Sequence, residues 1–307
     1  MSQSYLCIVT GASRGFGEAI AIELAKELLV VTKRTHTNAS TKIDMCLVAR
    51  SREGLQNTQH QMLQQTSSTE LNVTIHEMDL SNITTLEKEW KKMISSLPRQ
   101  DYDDVIMIHN AGSLGHVGRI GQENNSNKLS LSSICESIQL NITSMIWMTH
   151  DLIQTFRQNT KNTNTKMTIV NVSSLCAKEA FPTMALYCTM KAARNMFLMT
   201  LAKEYTSEDI LLWNYAPGAL KTDMTVLDLL QPPNYHHLDS SLQSYYNELQ
   251  SQQTWISPQQ SAQTFLQHVL FSSSKHTFPS GSHIDYWDLQ PTNNGDNQTN
   301  DPYDKHK

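Results

Sequence analysis

The sequence predicts a doubly wound α/β fold, a parallel sheet of about seven strands with helices on both faces. Three observations predict it. Short runs such as Tyr5-Leu6-Cys7-Ile8-Val9 and Met45 to Ala49 are continuously apolar, which suits strands buried on both faces. Between such runs lie longer stretches whose apolar residues recur at helical spacing. The two patterns alternate along the chain, and alternation of this kind builds a parallel sheet covered by helices.

Tyr5 to Val9 is the first strand, and Phe16 to Leu29 follows as a helix with Ile20, Leu24 and Leu28 on one side. Val31 to Asp44 is polar and without useful period, so it reads as a surface-loop insertion near 31–44. Met45 to Ala49 is the second strand, Arg50 to Gln65 a polar helix and Asn72 to Met78 the third strand. A helix from about Ile83 to Ser96 has Thr84 and Glu87 at capping-box spacing. Val105 to Ile108 is the fourth strand, and a long helix runs from about Leu131 to Phe156. A second Asn/Thr-rich insertion occupies 158–165. Met167 to Val172, Ile210 to Tyr215 and a short segment around Ile284 complete the strands. Helices are expected at Leu186 to Tyr205 and Pro258 to Leu270, and 220–256 interrupts the alternation as a substrate-covering lobe. We expect one domain over residues 1–288 and a polar, disordered tail over 289–307.

Composition narrows the function. The 307 residues carry 24 basic and 29 acidic side chains, net charge -5, scattered and without the basic footprint of nucleic-acid or membrane binding. The five cysteines, Cys7, Cys46, Cys135, Cys176 and Cys188, lack metal-ligand spacing, so no metal site is expected and reduced thiols suit a cytoplasmic protein. The first residues show no basic region followed by a long apolar core, and no run reaches membrane-spanning length.

The chemistry lies at the carboxyl ends of the predicted strands. Strand one leads into Thr10-Gly11-Ala12-Ser13-Arg14-Gly15-Phe16-Gly17 and then a helix. Glycines in such a turn let backbone approach a pyrophosphate, which the helix N-terminus stabilises. A turn built only for tight packing is the alternative reading. Asp79-Leu80 follows strand three, Asn110-Ala111-Gly112 follows strand four, Asn141 lies in the long helix, and Pro217-Gly218 follows strand six. Tyr187 and Lys191 are one helical turn apart, a pair that also occurs by chance.

The Gly-x-x-x-Gly-x-Gly spacing and the order of these motifs resemble the short-chain dehydrogenase/reductase family over roughly residues 5 to 288. The resemblance implies a Rossmann-type fold and a catalytic set of Asn141, Ser174, Tyr187 and Lys191. Ser174 is favoured over the adjacent Ser173 by its thirteen-residue distance from Tyr187. In this reading Lys191 bonds the nicotinamide ribose and favours the phenolate of Tyr187 by its charge, Ser174 holds the substrate oxygen, and Asn141 positions a water. Asn141 bonding only to a neighbour is the alternative.

The cofactor contacts so implied are Gly11, Ser13, Arg14, Gly15, Phe16, Gly17, Arg50, Ser51, Asp79, Leu80, Asn110, Ala111 and Gly112. Tyr187, Lys191, Pro217, Gly218, Leu220, Thr222 and Met224 join them. Arg50 stands where an NAD-preferring site carries an acid, and with Arg14 it can grip a 2′-phosphate, so NADPH is the predicted cofactor. Solvated-surface roles for the two arginines are the alternative.

Local sequence narrows the resemblance further. Asn171 to Ala177, Ala185 to Cys188 with Lys191 to Arg194, Asn214 to Gly218 and Ser280 to Asp285 resemble the pterin-reducing members of the family. That implies reduction of side-chain ketones of sepiapterin or 6-pyruvoyl-tetrahydropterin in tetrahydrobiopterin synthesis. Substrate contacts would be Ser174, Leu175, Tyr187, Gly218 and Asp285. A carboxylate at Asp285 can accept the two parallel donors on a pterin edge, although an acid ending a surface strand is the plain alternative. Leu175, Cys176, Tyr215, Met224 and Trp287 are expected walls for the ring. Such members are homodimers joined through the helices around Asn141 and Tyr187, and the apolar stretches 142–153 and 196–201 are compatible with that. A reductase of diketones or other carbonyls is the enzymatic alternative, and a non-catalytic NADPH sensor the alternative outside enzymes.

Overall fold

Gln3–Thr10 forms the first strand, β1, and its side chains alternate between two apolar clusters: Cys7 and Val9 join one, Leu6 and Ile8 the other. This period-2 division, with both sides apolar, marks a strand covered on both faces. The other strands are β2 (Thr41–Ala49), β3 (Leu71–Glu77), β4 (Asp104–His109), β5 (Lys166–Val172), β6 (Ile210–Ala216) and β7 (His283–Asp285). They pair in parallel in the order β3-β2-β1-β4-β5-β6-β7. The computed structural model describes residues 3–35, 41–66, 68–98, 101–122, 128–158, 165–272, 278–291 and 303.

Helices α1 (Gly15–Thr35), α2 (Arg52–Thr66) and α9 (Pro258–Phe265) cover one face, with Ile20, Leu24, Leu55 and Phe265 in its core. The other face holds α3 (Ile83–Ser95), α4 (Leu131–Ile138), α5 (Ser144–Ile153) and α6 (Ala185–Glu204), with Trp90, Met148 and Leu198 buried beneath them. A wide π turn, Gln139–Thr143, joins α4 to α5 without breaking the helix. The 220–256 segment is helical, comprising the π turn Met224–Leu229, α7 (Asn234–His237) and α8 (Ser240–Gln252). It contributes Leu229, Leu242 and Tyr245 to a third apolar cluster with Leu114, Cys176 and Phe181. Strand order reverses between β1 and β4, and a crevice at that reversal is where doubly wound folds bind ligands.

The structure corrects several expectations. The 31–44 segment is not a loop throughout: α1 continues through Thr35 and β2 begins at Thr41. Its polar residues are absorbed by pairing. Thr32 donates back to Leu28 O at 2.8 Å, and Asp44 accepts from Tyr102 and Asn72 at 3.0 and 2.8 Å. Residues 36–40 lie outside the described residues, as do 159–164 of the second insertion. At its far edge Thr165 is buried and donates to Tyr102 O at 2.7 Å. The cap of α3 is Asn82, which accepts from Thr84 N at 3.1 Å, while Glu87 pairs with Lys91. Met145 and Met148 pack into the core instead of forming an apolar surface; the exposed apolar residues of this region are Leu131, Ile138, Ile146, Met196 and Met199. Within the supposed disordered tail, Leu289 closes a 3-10 turn and Tyr303 is buried, while 292–302 and 304–307 lie outside the described residues.

Candidate active site

The turn after β1 is shaped by glycines whose backbone no other residue adopts readily. Gly11 and Gly15 have φ of 66° and 60°, in the left-handed region that a side chain disfavours. A Cβ on Gly17 would fall 2.1 Å from the Gly11 carbonyl oxygen. Asn110, at the end of β4, ties the turn down by donating to Thr10 O at 3.0 Å and Gly11 O at 3.2 Å. The N-terminus of α1 therefore opens on the crevice, where orphan N–H groups suit an anion.

A cleft of about 960 Å³ runs from this turn across the carboxyl edge of the sheet. At one end it is bordered by Ser13, Arg14, Gly15, Phe16, Arg50, Ser51 and Leu80; Asn110, Ala111 and Gly112 form its floor. Arg14 donates to Asp223 at 3.0 Å, and both partners are about half exposed, so the pair adds little stability. The neighbouring Arg52 pairs with Glu77, whereas Arg50 is exposed and has no ion pair among the described residues. Two guanidiniums, two serine hydroxyls and a helix N-terminus are a donor set that fits a phosphate-bearing nucleotide. Asp79 and Gly17 do not border the cleft. Asp79 accepts from the Ser81 N–H and hydroxyl at 3.0 and 2.8 Å and lines a neighbouring groove, and Gly17 packs inside the turn.

In the middle of the cleft Ser174, Tyr187 and Lys191 converge from the end of β5 and from α6. Tyr187 and Ser174 border the cleft together, the serine within electrostatic reach of the phenol, and Lys191 Nζ lies 5.4 Å from the Tyr187 ring centroid. Ser173 turns the other way, donating to Asn195 at 2.6 Å. Lys191 is buried and donates to Val172 O at 2.7 Å. Burial, then the nearby Arg194 charge, pulls its ammonium well below the ordinary lysine range. Burial, then Cys176 and Tyr246, pushes the Tyr187 phenol up, while Arg194 and Ser174 oppose the rise. The expected lowering by Lys191 is not among these influences, and burial sets the direction. A protonated phenol results, the form able to donate a proton.

Asn141 is fully buried in the π turn and does not border the cleft. Its Nδ2 donates to Ser137 O at 2.9 Å and Ser113 Oγ at 3.3 Å, and its Oδ1 accepts from Ser113 N at 3.2 Å. It joins the long helix to the loop after β4. π turns of this kind recur at functional sites.

Arg194 was not singled out in the sequence as a site residue. It lies on the same α6 face as Tyr187 and Lys191, is 1% exposed, and donates to His109 O, Ala111 O and Asn171 Oδ1 at 2.5, 2.9 and 2.7 Å. Its guanidinium braces the strand ends under the cleft. Burial brings it down to about 10. The available signal was positional: Arg194 falls seven residues after Tyr187, two turns along one face.

Thr222 stands against the glycine turn, 3.5 Å from where a Cβ on Gly15 would fall, and Pro217, Gly218, Leu220 and Met224 border the cleft near it; Leu175, Cys176, Phe181, Tyr245, Tyr246, Asp285, Trp287 and Tyr303 line the rest. Tyr215 is not a wall. It is fully buried below the sheet edge, bonds Ser261 and packs against Phe16 and Phe265. Asp285 accepts from Trp287 N at 3.0 Å, capping the turn after β7. Phe181, Tyr245, Tyr246 and Tyr303, all outside the expected set, give this end an aromatic lining.

Comparison with known proteins gives concordant results. The family model for short chain dehydrogenase matches residues 6–229. Sepiapterin reductase from Rattus norvegicus is 32% identical over 285 residues, covering 92% of this chain and 97% of that protein. Benzil reductase ((S)-benzoin forming) from Bacillus subtilis is 27% identical over 76% of this chain and 82% of its own. Among solved structures, a single-residue variant of actinorhodin polyketide ketoreductase with NADPH superposes with a TM-score of 0.66 at 18% identity, over 93% of this chain and 97% of that one.

Proposed function

Because the chain belongs to the short-chain dehydrogenase/reductase family, and is thereby an oxidoreductase, we propose that it is an NADPH-dependent reductase of the side-chain ketones of a pterin. Sepiapterin and 6-pyruvoyl-tetrahydropterin are the ketones of that class, and their reduction serves tetrahydrobiopterin synthesis. The observation that carries the reading is the meeting of Tyr187, Ser174 and Lys191 inside a cleft that begins at a glycine-rich helix N-terminus and is bordered by Asp285.

When bound, the reduced nicotinamide supplies a hydride. Ser174 holds the ketone oxygen in place, and Tyr187 delivers its phenolic proton as negative charge builds on that oxygen. Lys191, behind Tyr187, binds the nucleotide's ribose and biases the proton transfer. Asn141 fixes the loop after β4 through Ser113. The aromatic far end holds the flat ring and excludes water, while Asp285 accepts from its amine and adjacent N–H. Consumption of NADPH on adding sepiapterin, read as loss of cofactor absorbance, tests the reading; binding without turnover would favour the sensor alternative and sink it.

Two substitutions probe the ends of the cleft. Asp285→Asn replaces an acceptor pair by one acceptor and one donor, so the dissociation constant for sepiapterin is expected to rise about tenfold or more. Calorimetry should show NADPH affinity changed by less than about twofold. Equal pterin affinity in the two proteins rejects the anchor. Arg50→Ala removes the exposed guanidinium nearest the expected 2′-phosphate and should cut the NADPH-over-NADH preference in kcat/KM by about tenfold. A wild-type protein equally efficient with both cofactors refutes the assignment.

A second reading, a reductase of aryl diketones, is favoured by the aromatic lining of Phe181, Tyr245 and Tyr303 and by the benzil-reductase relative. It uses the same catalytic residues, and substrate profiling separates the two. Exposed Leu131, Ile138, Ile146, Met196 and Met199 on α4, α5 and α6 support a homodimer. Light scattering is expected to give twice the 34.8 kDa chain mass; a monomer at micromolar concentration would contradict it. Five free thiols support a reducing, cytoplasmic setting.

A further inference from the structure

Tyr303 is 6% exposed and stands at the aromatic end of the cleft. Its ring stacks on Phe181, with centroids 4.6 Å apart at 28°, and meets Tyr245 edge-on, 5.2 Å away at 84°. Phe181 belongs to the segment between Ser174 and Tyr187, whereas Tyr245 belongs to α8. Tyr303 therefore joins the catalytic loop to the helical segment above it. The Tyr246 hydroxyl lies within electrostatic reach of both Tyr187 and Tyr303, which puts this aromatic group over the reacting end of the cleft and not at a remote surface. Tyr303 is one of the side chains bordering the cleft, whose whole volume is about 960 Å³ with the ring in place.

We propose that Tyr303 is a specificity-determining residue, the roof of a flat aromatic slot that selects planar ring-bearing ketones over small aliphatic ones. The inference rests on the carbonyl-reductase reading and deepens it. Rings at stacked and edge-on angles present a flat apolar surface with quadrupoles that attract a further planar π system. A small diketone gains almost nothing from such a surface.

The test compares the full chain with Tyr303→Ala and Tyr303→Phe, using sepiapterin, isatin and diacetyl as carbonyls. In Tyr303→Ala the ratio of kcat/KM for either planar substrate to that for diacetyl should fall about tenfold, mostly through KM. Tyr303→Phe keeps the ring and should restore the ratio to within about twofold of wild type. Calorimetric titration of isatin into protein saturated with oxidised cofactor reads the slot without turnover and should weaken in parallel. Ratios that stay level or rise in Tyr303→Ala overturn the roof, a rise marking the ring as a plug. Isatin, planar but without the pterin's amine edge, separates the two readings. If wild type reduces isatin in a Tyr303-dependent way but ignores sepiapterin, the pterin assignment falls and the roof stands.

Discussion

Tyr187→Phe is expected to lower kcat for ketone reduction about 1,000-fold, the scale of a positioned proton donor and equivalent to about 4 kcal/mol of barrier. The substitution removes one oxygen. The ring stays on the same face of α6, and Lys191 still donates to Val172 O, so the cleft keeps its shape. What disappears is the phenolic proton donor that shares the cleft with Ser174 and Lys191. The dissociation constant for NADPH should change by less than about twofold, because the hydroxyl contributes little to holding the phosphates at the other end of the cleft. Thermal unfolding should be nearly unmoved. Removing a hydroxyl that makes no hydrogen bond among the described residues costs little, and the neighbouring Ser174 still accepts from Cys176 N at 3.2 Å. Rapid mixing with sepiapterin and NADPH measures the step directly. Near-normal turnover in a folded Tyr187→Phe protein would remove the catalytic assignment, and with it the mechanism above.

The sheet was legible because its strands are apolar without interruption: runs such as Tyr5 to Val9 have no other stable place than between two helical layers. The glycine turn and the Tyr187–Lys191 pair were legible because their geometry is local, one turn in each case. The misread parts share a different cause. Thr32, Asp44 and Thr165 are polar and still buried, since each finds a hydrogen-bond partner that composition cannot reveal. Tyr215 sits beside residues of the cleft in sequence, but strand alternation turns its side chain to the α1 and α9 layer. Tyr303 is a lone aromatic in an Asn- and Asp-rich stretch, and its partners, Phe181 and Tyr245, are distant along the chain. No periodicity carries such a contact.

Arg194→Met is expected to destabilise the fold by about 4 kcal/mol, a loss large enough to lower the melting temperature by roughly 10 °C. Methionine approximates the aliphatic stem and adds no cavity of consequence, so the loss isolates the guanidinium. That group makes hydrogen bonds to His109 O, Ala111 O and Asn171 Oδ1 within the end of the sheet. Without it three acceptors lie buried with fewer donors, each at a cost of about 1–3 kcal/mol. The removal of a buried cation returns part of that, because desolvation already weighs on Arg194 and brings it down to about 10. Arg194→Lys should recover only a fraction, since an ammonium is a point charge that cannot span three acceptors in one plane. Activity should fall with stability: Ala111 borders the cleft floor, and Asn171 precedes by one residue the Val172 carbonyl that receives Lys191. Urea unfolding monitored by tryptophan fluorescence gives the free energy, and turnover at a temperature where both proteins are folded gives the positional effect. A stability loss below about 1 kcal/mol would mean that the three acceptors are satisfied some other way, and the brace under the active site would have to be sought elsewhere.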